Sequence, residues 1–392
     1  MPIIEEPPCP VPSPPIGYHG TSCPIRIQPC SGGVVAVSFF IDVTKAYPRY
    51  TLRVKLESRA ARLALVGEGA SGVRDLLRCV RGADTPDTGR IVVNGTVFFD
   101  SELGVDLPCY VRRCVVVDER SRVVGDMSAR ENVAACISRS YPEATRAGLA
   151  RRCLKVFGAD AWADRPVHRL SPVVRERVEL ARDLAQGPNV FMFDRPYLDL
   201  LPKDRSALHA VLLRFFDASQ ASVLFGTTSV AEAATLCQEL VLLRHGQAEA
   251  QGSLDELMQN PASEHVLRHL GVKNISRARA VGATELEAID WGMVLHVPVE
   301  VPKNVAFVGL PQDAFAPTRR EPGSRNAFLM RVARVTDTAF ERRVLLTPPN
   351  QEARCRLLWS LDKLTCGVVE LPHVGDELCL HVDAHKVHMV AR

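Results

Sequence analysis

The sequence predicts an α/β chain built on a mostly parallel sheet, followed by a small all-β appendix. Three observations carry this reading. Short apolar, β-branched runs alternate with helical patterns over residues 34–270. One of these runs, Arg62–Val66, is short, apolar and ends in glycines, as a central parallel strand does. Beyond residue 300 or so only short strand-like runs recur, at 332–336, 343–346 and 377–382.

Taken in order, residues 1–33 hold nine prolines and read as a flexible or polyproline-like tail, because proline lacks an amide donor and biases its neighbour to extended backbone. Val34–Val43 and Leu52–Leu56 read as the first strands, before Arg62–Val66. Further strands follow at 91–93, 115–117, 190–193, 222–225 and 240–243, with helical patterns near 75–80, 143–156 and 203–216. In such a sheet ligands bind at the carboxyl ends of the strands. A Gly/Pro-punctuated break at 271–300 reads as a linker, and 301–392 as a small β-barrel or sandwich.

Composition narrows the function classes. Of 392 residues, 46% are hydrophobic and 24% charged, and the net charge is +3, ordinary for a globular chain of two or three domains. Without a Lys/Arg excess to cover phosphates, a strongly basic nucleic-acid binder is excluded. The longest uncharged stretch near the start, Ile27–Ile41, is too short and too polar to span a bilayer, and the acidic opening Glu5-Glu6 does not suit a secretory signal. The twelve cysteines are scattered and read as reduced, mostly buried thiols.

The chemistry concentrates after the Arg62–Val66 strand. Gly67-Glu68-Gly69-Ala70-Ser71-Gly72-Val73-Arg74 leads from it into a helical run, the strand–loop–helix context of a phosphate-binding loop. Glycines there let backbone N–H groups converge on an anion at a helix N-terminus. Taken alone, Gly-x-x-x-x-Gly fits a tight structural turn equally well. More landmarks follow in order: Thr88-Gly89-Arg90 with Asn94-Gly95, then Arg112-Arg113-Cys114, then the capping box Ser128–Glu131. Leu170-Ser171-Pro172-Val173-Val174, Phe191–Pro196, Phe225–Ser229 and Leu243-Arg244-His245-Gly246 complete the series.

In this order and spacing the chain resembles the ATP-binding subunit of an ABC-type importer. It is most like the group serving molybdate, sulfate, polyamines and some sugars, the molybdate member above all. The resemblance is dense over 34–270 and loose beyond. It implies a P-loop NTPase domain of ABC type, ATP with Mg²⁺, partnership with membrane permease subunits and a homodimer or heterodimer of cassettes. It also implies a cytoplasmic place, peripheral to the inner face of the inner membrane. Candidate nucleotide-binding residues are Gly67, Gly69, Ala70, Ser71, Gly72, Val73, Arg74 and Asp75. Tyr47 or Tyr50 is expected either to stack on adenine or to be a packed strand tyrosine.

Most reacting positions depart from the family pattern. The loop lysine and its Ser/Thr are Val73 and Arg74; the coupling glutamine is Glu119. The signature keeps Ser171 but continues Pro172-Val173. The metal-binding aspartate survives as Asp194, with Glu119 as the other candidate metal ligand. The glutamate that polarises water is Arg195, and the switch histidine is Thr228. Phosphoryl transfer is mostly positioning and charge neutralisation, so these losses together point to lost or very weak hydrolysis, to weak or vestigial ATP binding and to a doubtful place for Mg²⁺.

Three readings follow: an importer subunit, a pseudo-ATPase scaffold or regulator, and an altered hydrolase using Arg74 and Glu119. In the appendix, Gly309–Asp313 and Arg325–Leu329 resemble strands of the small β-domain of these subunits, with Leu310 in place of an arginine and Asp383 near an expected lysine. That favours packing or dimerisation over anion sensing. His381, His385 and His388 read as surface residues, His381 and His385 sharing one strand face.

Overall fold

The structure, a computed structural model, describes residues 38–118, 123–196, 200–219, 222–339, 341–348, 356–363 and 371–391. The tail at 1–33 and Glu119 lie outside the described residues. The chain forms two compact units, Met1–Ala248 and Glu249–Arg392, parting earlier than the expected boundary at 270.

The first unit is organised by an eleven-stranded sheet. Its parallel half runs Glu239–Arg244, Arg62–Val66, Ser222–Thr227, Val190–Asp194, Cys114–Val117. Leu63, Ala64, Leu65 and Val66 are fully buried, which is why an unbroken apolar run suits the middle of a sheet covered on both faces. The other half is antiparallel, apart from Gln247–Gly252, which pairs parallel with Tyr50–Ser58, and starts with the hairpin Phe39–Tyr47 and Tyr50–Ser58. There Phe39, Ile41 and Val43 are buried while their neighbours are partly exposed, the alternation of a one-faced strand.

Helices Val73–Arg81, Glu143–Val156 and Pro202–Ser219 lie where the sequence pattern predicts them, and Pro172–Ala185 and Val230–Leu236 are two that it does not single out. Phe215 packs edge-on against Phe191 at 5.2 Å and Phe216 against Phe193 at 5.9 Å, so aromatic contacts fix the Pro202–Ser219 helix on its strands. Among the described residues no helix is long and apolar enough to cross a membrane.

The second unit begins with two short helices, Leu254–Gln259 and Glu264–His269, and continues as two five-stranded sheets. Residues from both sheets share one core, with Trp291 and Trp359 among its fully buried side chains, giving the expected small barrel-like domain. The linker expected at 271–300 is corrected: it holds the strands Asn274–Gly282, Glu285–Ala288 and Met293–His296. Leu286, Ala288, Met293 and Leu295 point into the core at 0–1% exposure. The glycines read as a break instead turn hairpins, as at Gly292 with φ +61° and at the irregular register around Gly282.

Candidate functional site

Four loops leave the carboxyl ends of adjacent parallel strands and meet. Gly67 N–H donates to Thr227 O at 3.1 Å, Arg195 N–H to Gly226 O at 2.9 Å, and Gly246 N–H to Ser71 O at 2.9 Å. The glycine-rich loop thereby stands beside Asp194, Thr227 and Gly246, the edge of the sheet where such folds place ligands. Glu68, Gly69 and Ala70 form its exposed tip, while Ser71, Gly72 and Val73 are buried.

The loop is both a turn and a helix entry. Ser71 N–H donates to Glu68 O at 3.0 Å, closing a tight turn, and Ala70 takes a left-handed backbone at φ +66°. Gly72 caps the Val73–Arg81 helix at φ +95°. A Cβ on Gly72 would come within 2.9 Å of Leu52 Cδ1 and 3.1 Å of Gly246 Cα, so sterics and backbone both demand glycine.

Beyond the loop, each candidate residue already has work inside the chain. Val73 is 7% exposed, and its Cγ1 lies 2.9 Å from where a Cβ on Gly226 would be. A buried branched stub there cannot reach back over the loop as a lysine would. Arg74 Nε donates to Asp194 Oδ2 at 2.6 Å, and Arg195 Nε stands 3.6 Å from Asp194 Oδ1. That second oxygen is buried and makes no hydrogen bond among the described residues, and the Arg195 guanidinium stands beside it. Arg195 itself adopts φ +49°, turning the chain sharply at the strand end.

Asp75 accepts a hydrogen bond from Tyr50 Oη. Tyr50 also stacks on Tyr47, with centroids 5.4 Å apart and planes at 14°, and Tyr47 Oη donates to Asp84 at 3.1 Å. Burial first, then Cys79 for Tyr47 and Asp75 for Tyr50, holds both phenols well above their ordinary range, so they stay neutral. Burial likewise pushes the Cys79 thiol up to about 11. One face of each tyrosine ring is thus taken by the other, the packed-strand alternative, and adenine stacking remains a proposal for the outer faces.

Ser171 sits exposed at the N-cap of the Pro172–Ala185 helix without a side-chain capping bond, and among the described residues no hydrogen bond joins it to the loop. Thr228 is exposed, next to a network that sequence reasoning missed. Thr227 Oγ1 donates to Glu232 Oε2 at 2.5 Å, and His209 Nε2 lies 3.1 Å from Glu232 Oε1. Burial raises the Glu232 carboxyl, but the hydrogen bonds from His209 and Thr227 outweigh it and hold it below its ordinary value. Nothing in the spacing of 209, 227 and 232 signals this.

Arg112 was visible only as a landmark. Its buried guanidinium donates to Cys79 O and Val80 O, both at 2.8 Å, to Leu107 O at 2.7 Å and to Asp106 Oδ1 at 2.8 Å. It therefore closes the C-terminal end of the very helix whose other end opens at the loop, where a cation also suits the helix dipole.

In the second unit Leu310 is fully buried in the core. Asn326 bridges backbone, accepting from His296 N–H and donating to His296 O, each at 2.8 Å. Asp383 caps a single helical turn through His385 N–H at 3.0 Å. A lysine does stand nearby: Lys386 Nζ is 2.6 Å from Asp313 Oδ2 and so is neutralised in place. The expectation that His381 and His385 share a strand face is corrected, because the strand ends at Val382 and His385 lies in the turn. Among the described residues no group of three or more His, Cys, Asp or Glu side chains could hold a metal ion.

Against the expected cofactors, the donor set divides. Backbone N–H groups at a helix start and two arginines suit phosphate oxygens. Magnesium does not fit: the position of its hydroxyl ligand is Arg74, and its carboxylate, Asp194, is held between two guanidinium groups.

Comparison with known proteins bears on the family of the chain. A sequence model of the family described as "ABC transporter" matches residues 52–197. The molybdenum import ATP-binding protein ModC of Paramagnetospirillum magneticum is 28% identical over 221 residues, 56% of this chain and 61% of that protein. The sulfate/thiosulfate import ATP-binding protein CysA of Thermosynechococcus vestitus is 31% identical over 60% of this chain and 68% of its own length. CysA of Ralstonia nicotianae is 33% identical over 65% of this chain and 68% of its own. The solved structure of cbiO1 from Clostridium perfringens, described as part of the ABC transporter complex cbiONQ, superposes with a TM-score of 0.49 at 19% identity. It covers 59% of this chain and 93% of that one.

Proposed function

Because the chain belongs to the ABC transporter family, among the ATP-binding proteins of importers, we propose that it is the nucleotide-binding subunit of an oxyanion importer that no longer hydrolyses ATP at an appreciable rate. Its relatives are named for molybdenum and sulfate import, which supports molybdate or a similar oxyanion as the solute. In this reading the subunit works as a dimer of cassettes against membrane permease subunits, on the cytoplasmic face of the inner membrane. The domain of ABC type is the first unit, and the second unit, from Glu249 on, serves association, a role favoured by the buried Leu310 and the neutralised Lys386.

The observation that carries the catalytic part is the Arg74–Asp194 contact at 2.6 Å, with Arg195 on the other oxygen. The hydroxyl that would hold the metal and the glutamate that would polarise water are replaced by two arginines of an internal ion-pair cluster, and the lysine that would neutralise the γ-phosphate by the buried Val73. Each such electrostatic loss costs about 10²–10³ in rate, and losses within one unit are not additive. The same contact favours a second reading, a pseudo-ATPase acting as scaffold or regulator without a transport role.

Phosphate release from the purified chain separates these from an active cassette. Background turnover is expected, rising when Val73→Lys, Arg74→Ser and Arg195→Glu are combined. Turnover in the unmodified chain matching an intact cassette overturns the loss of hydrolysis. Co-purification with multi-span permease subunits supports the importer role, and its failure with every such subunit leaves the scaffold.

A further inference from the structure

We propose that the guanidinium of Arg74 is the built-in cation of this site. A nucleoside triphosphate then binds as the metal-free polyphosphate, and magnesium adds nothing to its affinity. This rests on the nucleotide-binding reading above and specifies the ionic form of the ligand.

The geometry is that of a substitution in place. Two oxygens on an octahedral magnesium, each about 2.0–2.1 Å from the ion, lie roughly 3 Å apart. Arg74 Nε and Asp194 Oδ2, at the two positions where the fold would supply such oxygens, are 2.6 Å apart. The ion's place is filled by an N–H···O bond. On the other side Asp194 Oδ1 faces Arg195 Nε at 3.6 Å, so a divalent ion entering there would meet two fixed positive charges.

Charge and exposure support the same conclusion. Two guanidinium groups, those of Arg74 and Arg195, stand against the carboxylate of Asp194. The Asp194 side chain is only 10% exposed, whereas that of Arg74 is 47% exposed and springs from the first turn after Gly72. A half-exposed planar fork of donors beside backbone N–H groups suits phosphate oxygens, which arginine binds bidentately. Asp75, the one acid in that first turn, is tied to Tyr50 and so is held on its strand-side partner. The cation that a triphosphate ordinarily brings with it is already covalently present.

Calorimetric titration of ATP into the full-length chain, once in EDTA and once in excess Mg²⁺, tests this. Equal dissociation constants, within about twofold, are expected. In EDTA, Arg74→Ser is expected to weaken binding at least tenfold, about 1.4 kcal/mol, and Mg²⁺ is expected to restore much of it. Arg74→Lys, which keeps the charge, should stay magnesium-independent; it carries the comparison if the serine variant does not melt cooperatively. Binding at least tenfold tighter in Mg²⁺ for the unmodified chain overturns the inference and leaves the nucleotide reading standing. So does an Arg74→Ser variant that binds metal-free ATP as tightly as its parent. No binding under either condition removes the nucleotide reading itself, and this inference with it.

Discussion

Arg74 Nε and Asp194 Oδ2 lie 2.6 Å apart, joining the second residue of the helix after the glycine loop to the last residue of a strand 120 positions further on. The contact does two things at once: it neutralises a nearly buried carboxylate and it occupies the ground a divalent ion would need.

Its energetic worth is measurable by a double-mutant cycle with Arg74→Ala and Asp194→Asn. Because Arg74 is 47% exposed, solvent screens it, and a coupling of about 1–2 kcal/mol is expected rather than the value of a buried pair. Urea unfolding of the four proteins checks this; additive losses would show that Arg195 alone balances Asp194.

Gly72→Ala should destabilise the first unit by about 1–3 kcal/mol, since it combines a left-handed backbone with overpacking against Leu52. Loss of ATP binding should exceed what the loss of stability explains, because the helix start moves. Circular dichroism melts alongside the titration separate the two.

Arg112→Met removes a fully buried cation, leaving the Cys79, Val80 and Leu107 carbonyls without their donor and Asp106 without its partner. A loss of about 3–5 kcal/mol is expected, and Arg112→Lys should recover only part of it because lysine lacks the fork that reaches several acceptors at once. Chemical denaturation of both variants reads the difference.

Glu232 makes a pH prediction with a definite sign. Its folded-state pKa lies below its unfolded value, so its contribution is fully present above about 4.3 and is lost as pH falls through the lower folded value. Glu232→Gln should therefore flatten the acid limb of the stability profile while barely changing its dependence on pH above neutrality. A variant that leaves the acid limb unchanged would show that other carboxylates control it.

Much of the fold was legible because it rests on local pattern. The run Arg62–Val66 announced a central strand, and the capping box Ser128–Glu131 forms as read, with Ser128 N–H donating to Glu131 at 2.8 Å. The strands at 274–296 were missed for the opposite reason. Two of the three have only four residues, and the glycines at 282 and 292 look like a break until the partner strands bury Leu286 and Leu295.

By itself, the sequence determined which side chains stand at the loop and strand ends. The resemblance matches Val73, Arg74, Arg195 and Thr228 to the family's lysine, hydroxyl, glutamate and histidine, an assignment that belongs to the proposed function. Whether those replacements form a mere gap or a new structure was decided only in three dimensions. Parallel strands bring residues from distant segments to one edge, and an ion pair depends on separation through space, which residue order does not encode. Hence Arg74 could be read as a lost metal ligand from the chain alone, while its role as the partner of Asp194 required the fold.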